Sequence, residues 1–82
     1  KNILAANGCC IKGEVRNSVL FRGVTIHPGA VVKNSIIMQK SEIGKNANLE
    51  NVILDKGVQI TANKSIKGDI NFPMIIGKNS LV

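Results

Sequence analysis

Tryptophan and tyrosine are absent from these 82 residues, and the only aromatic side chains are Phe21 and Phe72. A compact globule of this length has little interior to begin with and relies on bulky side chains to fill it, so the composition argues against that design. The missing aromatics also remove the stacking platforms that single-stranded nucleic acid sites use. The formal charge of +6, from 11 Lys and Arg against 5 Asp and Glu, is therefore read without a nucleic acid partner. The only cysteines, Cys9 and Cys10, are adjacent. A bridge between neighbours is strained, and a secreted scaffold would spread more cysteines along the chain. The thiols fit a reducing, cytoplasmic setting. No apolar run reaches membrane-spanning length and no signal peptide is visible.

What the chain does have is a register. Val15, Leu20, Ile26, Val32, Ile37, Ile43, Leu49, Leu54, Ile60 and Ile66 follow one another at spacings of 5, 6, 6, repeated, giving a 17-residue period. All ten are aliphatic. Self-similarity at a fixed period marks a solenoid, in which each coil buries medium-sized side chains against its neighbours. Four residues after each inward aliphatic comes a second small or branched residue: Val19, Val24, Ala30, Ile36, Ser41, Ala47, Ile53 and Val58. This is the hexapeptide pattern of a single-stranded parallel β-helix, all-β, with about five coils. At about 4.8 Å per coil the prism is roughly 20–25 Å tall.

The corner chemistry agrees. Asn17, Asn34 and Asn51 share one column, and Asn46, Asn63 and Asn79 nearly share another in register with Gly29. Asn and Gly tolerate the left-handed backbone of tight corners, and stacked Asn side chains can bond from coil to coil. The register slips between Gly68 and Met74 before Ile76 restores it, which predicts a loop or bulge pinned by Pro73. Lys64 stands where a small residue belongs. The chain lacks an initiator Met, and a repeat runs to Val82, so residues 1–82 read as one β-helix domain cut from a longer protein. With open ends it is expected to lean on another domain or on a copy of itself.

Reactive chemistry is sparse, and no catalytic, cofactor or metal site is expected. His27, the single histidine, lies in the corner Ile26-His27-Pro28-Gly29, where neither following residue can orient the ring. As a general base it would make the chain a hexapeptide acyltransferase fragment, which is the alternative reading. A β-helical zinc enzyme needs three histidines. Arg16, Lys33 and Lys67 align in one column interrupted by Glu50, and Arg22 and Lys56 in another around Gln39. They read as a solvated face that resists edge pairing, with an anion site as the competing reading. Phe21 and Met38 share a column directly after inward residues, where Gly44 and Gly77 stand at other corners, and so point outward until Asp55 ends the stripe. Stacked exposed apolar residues suggest a docking surface. Phe21, Met38, Arg22 and Gln39 are the candidate interface residues.

The segments N-S-V-L-F-R-G-V (17–24), G-A-V-V-K-N-S-I-I-M-Q (29–39) and I-G-K-N-A-N-L-E-N-V-I-L-D-K (43–56) resemble the C-terminal left-handed β-helix of bacterial ADP-glucose pyrophosphorylase, also called glucose-1-phosphate adenylyltransferase. Gln39 after Met38, the stretch 51–56 and the run F-P-M-I-I-G-K (72–78) look most like the GlgD-type regulatory subunit. The resemblance implies the left hand of the helix. It also implies a parent that makes ADP-glucose and pyrophosphate from ATP and glucose 1-phosphate during glycogen biosynthesis, in an N-terminal nucleotidyltransferase domain absent from these residues. This chain alone is then no enzyme. It would pack on the N-terminal domain of its own parent, help to build a homo- or heterotetramer of catalytic and regulatory subunits, and transmit effector control, with neither membrane nor nucleic acid as partner.

Overall fold

The computed structural model describes residues 3–82 and contains strands and turns only. The first turn holds β1 (Ile3–Ala5), β2 (Cys10–Ile11) and β3 (Glu14–Arg16); the second holds β4 (Ser18–Leu20), β5 (Thr25–Ile26) and β6 (Val31–Lys33). The third holds β7 (Ile36–Ile37), β8 (Glu42–Ile43) and β9 (Asn48–Glu50), and the fourth β10 (Val52–Leu54), β11 (Gln59–Ile60) and β12 (Ser65–Lys67). β13 (Met74–Ile76) opens a fifth. Each strand pairs in parallel with its counterpart one turn away. Three sheets result: face A (β1-β4-β7-β10-β13), face B (β2-β5-β8-β11) and face C (β3-β6-β9-β12). The expected solenoid is present, with four complete turns and part of another.

All ten residues of the aliphatic register point inward. Val15 and Ile66, toward the two ends, keep 8% and 9% of their surface, and the other eight keep 3% or less. The second inward position differs from the expectation on one face. Val19, Ile36 and Ile53 are not buried; the inward places belong to Ser18 on β4, Ser35 just before β7 and Val52 on β10. The reason is strand alternation. Residues two apart share a side of a strand, so the inward partner lies two before each aliphatic on every face. Counting four forward reaches the same residue only where the spacing is six. On the five-residue face it lands outside.

Serine is tolerated inside because its hydroxyl is used twice. Ser35 Oγ donates to the Lys33 carbonyl at 2.7 Å and accepts the Val52 amide at 3.3 Å. Ser18 repeats the arrangement one turn earlier, on Arg16 and Ser35. Ser41 Oγ bonds the Asp55 carbonyl and the Val58 amide. Among the described residues no buried side-chain nitrogen or oxygen lacks a partner, as close-packed interiors require.

The corners carry the left-handed residues. Asn17, Asn34 and Asn51 have φ of 48°, 51° and 56°, and Gly29, Asn46 and Asn63 follow at 79°, 61° and 63°. The side chain of Asn51 donates to the Gly68 carbonyl at 3.3 Å, a single rung of the expected coil-to-coil bonding. Asn79 does not join the Asn46–Asn63 column. Its amide bonds the Lys56 carbonyl, as those of Gly57 and Lys40 bond Gln39 and Arg22 one and two turns earlier, so it stacks in a third column. The cause is the predicted loop. Ile76 pairs with Leu54, 22 residues before it, whereas Leu54 pairs with Ile37, 17 before, so the last coil is longer by five residues. Asp69 and Phe72 exchange main-chain bonds of 3.2 and 3.1 Å, and Asp69 Oδ1 accepts the Asn71 amide at 2.9 Å. Lys64 keeps its side chain exposed while its carbonyl accepts the Asn48 amide.

Lys40 is the misfit of the third column. It holds φ 62° between Gly23 at 73° and Gly57 at 67°. A left-handed L-residue with a full side chain costs about 1–2 kcal/mol. Lys40→Gly is therefore expected to stabilise the domain by about 0.5–1 kcal/mol, after glycine's larger entropy loss is subtracted, read as a higher urea midpoint.

Candidate docking face

Face A differs from the other two on its outside. The outward residue of each strand stacks on the next in the order Leu4, Val19, Ile36, Ile53, Ile75. All five are aliphatic. Leu4 and Ile75 keep 71% of their surface and Ile36 keeps 38%, while Val19 and Ile53 are half-buried. The matching column on face B reads Cys10, Thr25, Glu42, Gln59. On face C the columns are Glu14, Val31, Asn48, Ser65 and Arg16, Lys33, Glu50, Lys67. Parallel sheets are normally covered on both sides. Apart from Cys10 and Val31, faces B and C turn polar side chains to the water in place of such a cover, and face A turns none.

Both edges of face A add apolar bulk. Phe21 and Met38 leave β4 and β7 at the corner toward face B, Phe21 exposed and Met38 half-buried. The Phe21 amide bonds the Ile37 carbonyl, and its own carbonyl accepts the Cys9 thiol at 3.1 Å. Arg22 is exposed and Gln39 half-buried beside them. A groove of about 510 Å³ takes Phe21, Arg22 and Gln39 into its wall together with Leu4, Ala5 and Val19. Met38 stands outside that wall. On the other side of Leu4 and Val19 a second groove, about 450 Å³, is lined by Ile3, Asn17 and Ser18. At the far end, the corner toward face C carries the Asp69–Phe72 loop, whose Ile70 and Phe72 are 76% and 81% exposed. Neither aromatic residue of the chain enters the core.

His27 has a partner that the sequence order conceals. Glu42, 15 residues later and one turn up, places Oε2 2.6 Å from His27 Nε2. The pair borders a groove of about 300 Å³ with Lys45, Gln59 and Thr61. Neither Pro28 nor Gly29 orients this ring, as expected from the sequence; the orienting neighbour, which the sequence reading did not foresee, comes from the next coil. The basic column of face C is present as expected, with Arg16 paired to Glu14. Among the described residues no group of three or more His, Cys, Asp or Glu could hold a metal ion, and no helix is long and apolar enough to cross a membrane. Both thiols are free.

Residues 1–72 match the family described as GlmU-like, C-terminal hexapeptide. A glucose-1-phosphate adenylyltransferase of Bacillus cytotoxicus is 43% identical over 83% of this chain and 18% of its own length. The enzyme of the same name from Acetivibrio thermocellus is 40% identical over 89% of this chain and 17% of its own length. That of Bacillus thuringiensis strain Al Hakam is 36% identical over 89% and 19%. The chain therefore spans less than a fifth of the length of these relatives. No solved structure matches it. With a three-faced parallel solenoid built on a hexapeptide register, the chain belongs to the GlmU-like C-terminal hexapeptide family, in which it is similar to a region of the glucose-1-phosphate adenylyltransferases.

Proposed function

We propose that the chain is the C-terminal domain of a glucose-1-phosphate adenylyltransferase subunit and that its work is assembly and control, with the chemistry done elsewhere in the parent. The similarity of 36–43% over more than four-fifths of the chain, to proteins all carrying that enzyme's name, is the observation on which this rests. The parent's reaction would be ATP and glucose 1-phosphate to ADP-glucose and pyrophosphate, in the cytoplasm, in glycogen synthesis. Phe21, Met38, Arg22 and Gln39 would contact the parent's N-terminal domain or a second subunit. Gln39 and the 51–56 and 72–78 segments support the GlgD-type regulatory subunit as the more specific identity.

The test uses the full-length parent. Phe21→Asp combined with Met38→Asp is expected to shift the assembly to smaller species in light scattering, since burying a charge without a partner is costly. An unchanged mass would remove these residues from the interface. Assay of the parent alone and mixed with a catalytic subunit separates the two identities. A regulatory subunit is inactive alone and changes the partner's response to effectors.

The His27–Glu42 pair favours one second reading, an acyltransferase with His27 as base. Glu42 would hold the ring, leaving Nδ1 for a hydroxyl or amine substrate. His27→Ala is expected to leave the parent's activity unchanged, and loss of acyl transfer in that variant would establish the alternative instead.

A further inference from the structure

We infer that Asn7–Gly8, at a corner between faces A and B, is a self-modification site at which the Asn7 side chain is converted to aspartate and isoaspartate without an enzyme. Of the asparagines in the chain, Asn7 alone is followed by glycine. The corner itself demands that pair, because Gly8 holds φ 81°, which glycine adopts at least cost. The reaction uses the amide nitrogen of the following residue as nucleophile, so whatever crowds that nitrogen or engages its hydrogen slows it. Gly8 brings no side chain, and a Cβ built on it would meet nothing nearer than 3.7 Å. Both residues are exposed, and the Gly8 amide meets no acceptor among the described residues. Other asparagines are followed by engaged amides. The amide after Asn34 bonds Ser18 Oγ, that after Asn51 bonds Ser35 Oγ, and those after Asn46 and Asn79 bond the carbonyls of Gly44 and Gly77. An engaged amide has to give up its hydrogen bond before it can attack.

The Gly8 nitrogen, its proton lost to base, attacks the carbonyl carbon of the Asn7 side chain. A new C–N bond forms, the bond to the side-chain nitrogen breaks, and ammonia leaves with a proton from water. Water then adds to either carbonyl of the resulting succinimide. One opening restores the peptide bond and leaves an aspartate side chain. The other leaves isoaspartate, in which the main chain runs through the former side chain and the former main-chain carbonyl becomes a free carboxylate. That carbonyl is the one that accepts the Gly23 amide at 3.3 Å. Asn7 also lines the groove of about 510 Å³ that holds Phe21, Arg22 and Gln39. Either product therefore adds a carboxylate to the wall that carries Arg22, and isoaspartate also alters the link between the first two coils.

The experiment ages the full-length parent in mildly alkaline buffer made with heavy-oxygen water. Conversion is mapped by peptide mass spectrometry and by isoaspartyl methyltransferase labelling. Asn7 is expected to convert about tenfold faster, or more, than Asn34, Asn46 and Asn79, with heavy oxygen in the products and isoaspartate among them. In denaturant those three asparagines should speed up while Asn7 changes little, because the fold already leaves its neighbour's amide open. Conversion of Asn7 no faster than that of the others would overturn the inference. So would a rise of about tenfold at Asn7 on unfolding, which means protection by the fold, or aspartate formed without isoaspartate, which means direct hydrolysis. The result stands whether or not the parent is an adenylyltransferase, since no step of the test uses that activity.

Discussion

Ile37→Ala is expected to lower the stability of the domain by about 2–5 kcal/mol, and Ile36→Ala, one residue away, by less than about 1 kcal/mol. Ile37 has no exposed surface and sits in the middle of its column, between Leu20 below and Leu54 above. Removing three carbons there leaves a cavity that rungs held by ladder hydrogen bonds cannot close. Ile36 points out of the same strand with 38% of its surface in water. For a domain whose total stability is of the order of 5–15 kcal/mol, the inward truncation removes a large part of it. Urea midpoints of the two variants provide the measurement. Equal losses would mean that face A is as tightly packed as the core, against the structure described.

Gly44→Ala is expected to cost about 1–3 kcal/mol or more, and Gly77→Ala to be neutral or slightly stabilising. Both glycines sit in the same tetrapeptide, I-G-K-N, at 43–46 and 76–79. A Cβ on Gly44 would lie 2.6–2.7 Å from main-chain atoms of Ile60, Thr61 and Ala62. Those atoms belong to the next coil, and its register is locked by β8–β11 pairing, so they cannot give way as a flexible side chain would. At Gly77 the nearest neighbour is the Ser80 hydroxyl, 3.9 Å away. Thermal midpoints of the two variants should move apart. A matching drop at both would show that the glycines are needed for conformation and not for space.

The pattern of hits and misses along the chain has a simple origin. The inward aliphatics were legible because burial imposes one chemical requirement at every turn, and a requirement that repeats leaves a period. The Asn corners were legible for the same reason. Asn79 was misplaced because the five-residue loop moves it from one corner to another, and no local feature of I-G-K-N records that shift. The orienting partner of His27 was hidden because solenoid neighbours lie a whole coil apart in sequence.

The docking face shows the same division more sharply. Phe21 and Met38 could be marked as outward from their position after inward residues. Val19, Ile36 and Ile53 could not, because an apolar residue in an apolar repeat looks like core. The amino-acid sequence alone thus determined the period, the three-faced parallel solenoid, the ten inward aliphatics and most corner residues. Each of these follows from contacts within one coil or between identical positions of successive coils. Only the tertiary structure showed that Ser18, Ser35 and Val52 take the second inward place beside Leu20, Ile37 and Leu54, and so that Leu4, Val19, Ile36, Ile53 and Ile75 form one exposed column. On the short face a count of four from the previous aliphatic lands one residue past the inward place, and strand alternation puts that residue outside.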